Sequence, residues 1–156
     1  MSKLIAVLAA AAAILMIGAG CGGGSDSSSD SSSLSKAQFI KQADAICEKG
    51  NKESNKEVEE FVEDNNVNTN KPTKKQQEEV ITEVVAPNVQ GQVEEISELS
   101  APSGDEKKIE AMVGAVEEGV EELEADPTTL IEGKNPLGKG SKLAKEYGLK
   151  TCGEEG

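Results

Sequence analysis

Apolar residues recur along the middle and end of this chain at intervals of three and four, the spacing of one helix face. Phe39, Ile40, Ala43, Ile46 and Cys47 open the pattern, and Val58, Phe61 and Val62 resume it among charges. This predicts a first helix from about Ser35 to Glu63, with Gly50 as a place to bend. Ser35 and Gln38 have the spacing of a capping box, in which each side chain satisfies the other residue's free amide. The segment 64–71, Asp-Asn-Asn-Val-Asn-Thr-Asn-Lys, is turn-rich and separates the first stripe from the second.

Thr73 and Gln76 repeat the capping-box spacing and start a second helix. Its apolar face is Val80, Ile81, Val84 and Val85, continued by Val89, Val93, Ile96 and Leu99. Pro87 interrupts it. A proline inside a helix removes one hydrogen bond and crowds the preceding turn, so a kink is expected there. Ala101-Pro102-Ser103-Gly104 ends the segment. A third helix is predicted from Ser103 or Asp105, with Glu106 completing a box on Ser103. Its stripe is Ile109, Met112, Val113, Val116, Val120 and Leu123. Gly114 and Gly119 within it each cost about 1 kcal/mol of helix propensity relative to Ala, and small residues there permit close packing. Asp126-Pro127 and Asn135-Pro136 are helix-start signals. A short last helix through Leu137, Leu143, Ala144 and Tyr147 ends at Gly148, where Leu149 can fold back. Period-2 runs are absent. The expected fold is all-α, an antiparallel bundle of three long helices and a short C-terminal one.

The start of the chain follows other rules. Met1-Ser2-Lys3 is basic, Leu4 to Ile17 is continuously apolar, and Gly18-Ala19-Gly20 precedes Cys21. These are the three parts of an export signal. The run is too short for a spanning helix, which needs roughly 20 apolar residues. Gly22-Gly23-Gly24 and a Ser/Asp tract to Ser33 follow. Such composition cannot bury a core and reads as a flexible tether, with a reach of roughly 20 Å. The organisation is therefore 1–20 signal peptide, 21–33 tether and 34–156 helical domain. Ile17-Gly18-Ala19-Gly20-Cys21 resembles a bacterial lipobox, although Gly18 stands where that pattern usually has Leu. The resemblance implies a diacylglyceryl group on Cys21 and a membrane anchor facing outside the cytoplasm. The alternative is ordinary cleavage beside Cys21, which leaves a free thiol.

Charge and missing residue types narrow the function. The formal net charge is −13, from 16 basic and 29 acidic residues, and every basic residue is Lys. A chain so acidic and lacking Arg has no basic face for nucleic acid. It is also repelled by anionic lipid, so membrane contact would run through the lipid on Cys21. The absence of His removes the commonest general base and metal ligand, and with it Ser-His-Asp and Cys-His catalysis. Three cysteines are present. If Cys21 carries lipid, Cys47 and Cys152 are left to pair in an oxidising compartment. Two buried free thiols are the competing reading. The run Glu117, Glu118, Glu121, Glu122, Glu124 and Asp126 could attract Ca²⁺ or Mg²⁺. It lies on a straight helix without the loop such sites use, and reads as a solvated acidic face. Gly138-Lys139-Gly140-Ser141-Lys142 follows no strand, which argues against a phosphate cradle. No metal site, cofactor or catalytic residue is implied.

The blocks Ala43-Asp44-Ala45-Ile46-Cys47, Val85-Ala86-Pro87-Asn88-Val89-Gln90 and Tyr147-Gly148-Leu149-Lys150-Thr151-Cys152-Gly153 resemble a group of small exported proteins and lipoproteins of actinobacteria. The resemblance spans most of Ser35 to Gly153. It implies helices, export and paired cysteines, and no assigned chemistry. The leading expectation is a lipid-anchored, non-enzymatic module with an interaction or structural role, its protein partner unspecified. The alternative is a lipoprotein that binds a small apolar or cationic ligand in a pocket near Pro87 lined by Val84, Val89 and Val116.

Overall fold

A computed structural model describes residues 33–154. The signal, Cys21 and nearly all of the tether lie outside that range. The described residues are helical, without strands. Helix α1 runs Lys36–Asp64. Helix α2, Lys74–Val80, passes through a π turn, Ile81–Val85, into α3, Ala86–Ser97. Helix α4 is Glu106–Ala125, α5 is the single turn Thr128–Ile131, and α6 is Gly138–Tyr147.

Both capping boxes form. Ser35 and Gln38, then Thr73 and Gln76, exchange side-chain and backbone hydrogen bonds at the starts of α1 and α2. The expected box on Ser103 does not. The Asp105 amide bonds the Pro102 carbonyl at 2.9 Å, and Gly104 adopts φ +84°. That turn leaves Ser103 outside the helix, and α4 begins only at Glu106. Asp126 likewise is not the N-cap of α5, which is Pro127. The Asp126 Oδ1 accepts from the Thr128 amide at 3.1 Å, and Pro127 stands just before α5 rather than inside it.

The π turn has a local cause. Pro87 brings no N–H, and in a regular helix its ring would crowd the carbonyl of Glu83. Widening the preceding turn by one residue relieves the crowding: the Ala86 amide reaches back five residues to the Ile81 carbonyl. Helix α1, by contrast, runs through Gly50 as one uninterrupted helix. Gly50 matters for packing instead: a Cβ there would lie 2.4 Å from the side-chain amide of Gln92 on α3, which would have to shift.

The helices pack in sequence, α1 on α3, α3 on α4 and α4 on α6. The α4–α6 contact is close because Gly140 is buried against Val116; a Cβ on Gly140 would meet Val116 Cγ2 at 2.3 Å and its backbone N at 3.2 Å. Gly148 ends α6 in the left-handed conformation, φ +113°. The Leu149 amide bonds the Ala144 carbonyl at 3.0 Å, which turns Leu149 inward until it is 2% exposed.

The buried apolar side chains fall into two clusters. One joins Phe39, Ala43, Cys47, Ile96, Ile109, Met112, Ala144, Tyr147 and Leu149. The other joins Ile81, Ala86, Val120 and Leu123. Burying a Leu- or Phe-sized side chain contributes roughly 1.5–3 kcal/mol, and Phe39 and Leu123 are both fully buried. Phe39 meets Tyr147 edge to face at 5.9 Å between ring centres. Lys36 lies 4.2 Å over the same tyrosine ring.

Candidate functional site

Between the two clusters lies a cavity of about 480 Å³. The first cluster supplies Cys47, Ile96, Met112 and Leu149 to its wall. From the partly buried edge of the second come Val89, Val116 and Leu137. On α4 the boundary falls between Val113 and Val116, one turn apart, which pack on different clusters. Residues at these positions follow the helical stripe, so the same periodicity that builds the core also builds the cavity wall.

Most of the polar lining comes from residues without charge. Asn51 and Asn55 on α1, Asn88 and Gln92 on α3, and Asn135 before α6 contribute carboxamides, and Ser54, Ser141 and Thr151 contribute hydroxyls. Within the α1 pair and the α3 pair the spacing is four, which puts both members on one face. The Gln92 amide nitrogen donates to Asn88 Oδ1 at 2.8 Å, and Gln92 rests on the bare backbone of Gly50. One formally charged side chain, Glu154, lines the cavity.

The C-terminal tail forms one side of this wall, and Asp44 holds it in place. Its carboxylate accepts the backbone amides of Lys150 at 2.9 Å, Thr151 at 2.9 Å and Cys152 at 3.4 Å. Such bonds to an ionised acceptor are stronger than neutral ones. Cys47, one turn beyond Asp44, meets Cys152 with an S–S distance of 2.04 Å and a Cα–Cα distance of 5.4 Å. The expected pairing of Cys47 with Cys152 is therefore made. Gly153 is buried immediately afterwards, where a Cβ would lie 2.8 Å from the Leu149 carbonyl oxygen and 2.9 Å from Lys145 Cα.

The structure brings together some of the residues assigned to a pocket and not others. Val89 and Val116 line the cavity. Val84 is buried, 7% exposed, but does not line it; Val85 does. Cys21 lies outside the described residues. The amides of Asn51, Asn55, Asn88 and Gln92 were not singled out from the sequence. Their signal was present as two pairs at spacing four beside an apolar stripe.

The remaining polar clusters have structural partners. Tyr147 donates its hydroxyl hydrogen bond to Asp105 at 3.1 Å, and Lys108 pairs with the same carboxylate. Burial, followed by the adjacent Asp105 carboxylate, pushes the Tyr147 phenol up to about 12. The Lys108 hydrogen bond holds Asp105 below the ordinary carboxylate range. The acidic face of α4 is exposed at Glu117, Glu118, Glu121, Glu122 and Glu124, and Lys139 meets Glu118 at 2.7 Å. Among the described residues no group of three or more His, Cys, Asp or Glu side chains is placed to hold a metal ion. No helix there is long and apolar enough to cross a membrane.

Comparison with protein-family models, with curated proteins and with solved structures finds no match.

Proposed function

We propose that this chain is an extracytoplasmic, lipid-anchored, non-enzymatic helical protein that binds a small, mainly apolar ligand in the cavity between its two core clusters. The observation that carries this reading is the cavity itself. Its volume falls within the range of small-molecule sites, and its wall combines apolar side chains with a few convergent polar groups. In this reading the helices run antiparallel, and the second helix is kinked at the π turn before Pro87. Export and anchoring rest on the sequence of residues 1–33 and the resemblance of Ile17–Cys21 to a lipobox. A diacylglyceryl mass increment on Cys21 in membrane-extracted protein tests the anchor.

Uptake of a neutral apolar dye, Nile red, tests the cavity. The unliganded protein should enhance dye emission, and Val89→Phe, which fills the cavity from α3, should abolish the enhancement while helical circular dichroism is kept. No enhancement with the original chain, or full enhancement with V89F, would overturn the reading. A second reading, a docking module for a protein partner, is favoured by the exposed neighbours Leu130 and Ile131, each 37% exposed on α5. Because Leu130 also lines the cavity, the discriminating variant is I131S alone: loss of a membrane-associated partner with dye uptake unchanged would favour it.

A further inference from the structure

We infer that the cavity selects an uncharged amphiphile, with an apolar body and a hydroxyl- or amide-bearing head. This rests on the cavity being a ligand site, and deepens that reading by naming the class of ligand. Four carboxamides line the α1 and α3 sides, Asn51 and Asn55 facing the solvent edge and Asn88 and Gln92 half-buried. A carboxamide offers both donors and acceptors, as do an alcohol and an amide, so each hydrogen-bonding direction can be met on both sides. A carboxylate or phosphate head could use only the donors and would leave the Asn and Gln oxygens facing a negative charge.

Charge argues the same way. No Lys lines the cavity, so an anionic head would enter without a counter-charge, at a cost that rises as it is desolvated. The chain's net charge of −13 adds long-range repulsion. A cationic head would find one carboxylate, Glu154, which is exposed at the tail; a pair that open to water contributes little. The arrangement of Gln92 suits recognition by polarity. It lies against Gly50 and donates to Asn88, so part of the cost of ordering the amide is met before a head bonds to it.

The test is displacement of Nile red by three ten-carbon amphiphiles below their micellar concentrations: 1-decanoylglycerol, decanoate and decyltrimethylammonium. The glycerol ester should displace dye at concentrations at least about tenfold lower than either ion, the factor set by one buried polar group left unpaired. In Asn88→Leu/Gln92→Met that advantage should shrink to about twofold or less while dye uptake is retained. Decanoate or the ammonium ion matching the glycerol ester would overturn the head-group inference and leave the apolar cavity standing. A glycerol-ester preference unchanged in N88L/Q92M would overturn the role of the carboxamides. No dye uptake by the original protein would overturn the cavity reading itself. Asn55→Leu, at the exposed rim, supplies a second variant whose fold does not depend on buried polar groups; it should weaken the preference in the same direction.

Discussion

Gly114 and Gly119 occupy the same helix, five residues apart, and should respond to alanine with opposite signs. In an exposed helix interior Gly→Ala stabilises by about 1 kcal/mol through backbone entropy. A Cβ on Gly114 meets no atom within 4 Å, so G114A should gain close to that amount. A Cβ on Gly119 lies 2.6 Å from the Pro136 carbonyl oxygen, 2.9 Å from its carbon and 3.0 Å from Leu137 Cδ2. Two of those atoms are backbone and cannot rotate away, so the segment between α5 and α6 must move. Overpacking of this kind costs about 1–3 kcal/mol. Set against the same entropic gain, G119A should fall between unchanged and about 2 kcal/mol less stable. Because both sites share one helix, the propensity term cancels in the comparison, which leaves a gap of about 1–3 kcal/mol due to packing alone. Urea unfolding followed by far-ultraviolet circular dichroism measures it directly, through midpoints at a common slope. Equal stabilisation of both variants would refute the close approach of the Pro136 segment to α4. Equal destabilisation would refute the open surroundings of Gly114.

Two further outcomes follow from the junction of α1, α4 and α6. Tyr147 is the single tyrosine, so near-ultraviolet absorbance reports its ionisation alone; its midpoint should lie near 12 instead of 10.0, and D105N should lower it. Because the folded-state value is raised, the stability Tyr147 contributes is complete below pH 10 and is lost as pH rises toward 12; a midpoint at 10 would refute its burial against Asp105. Replacing both cysteines in C47A/C152A opens a loop spanning 105 residues, and should lower unfolding stability by up to about 4–5 kcal/mol, mainly by releasing the unfolded chain; an unchanged urea midpoint would contradict that pairing.

Local signals were the most legible part of the sequence. Ser35 with Gln38 and Thr73 with Gln76 announced helix starts because a capping box is complete within four residues. Gly148 announced a helix end for the same reason. Ser103 misled because its box is spelled by the same residue types, while the turn at Pro102 and Gly104 decides whether the backbone can adopt it. The pairing of Cys47 with Cys152 could be reached by counting cysteines. The role of Asp44 could not: its three amide partners lie more than a hundred positions away and come together only when the tail folds back. Pro87 follows a widened turn across Ile81–Val85, a feature that residue spacing does not spell. The apolar stripes named Val89 and Val116 as inward-facing. That they stop short of closing on the opposite cluster depends on how four helices meet, which spacing along any one of them does not encode.

The attachment of the tail to Asp44 and Cys47 makes the structure sensitive to the integrity of its own product. A chain that stops before Lys150, by early termination or by proteolysis, loses all three amides that Asp44 accepts and the partner of Cys47. Its first helix would then present an unbonded carboxylate and a reactive thiol side by side, with Leu149 at or beyond the break. Cys47 would then be open to thiol exchange, whereas in the intact chain it is disulfide-bonded and 5% exposed, and Asp44 is hydrogen-bonded. Two adjacent turns of the first helix thus owe their polar and covalent partners to residues 150–152.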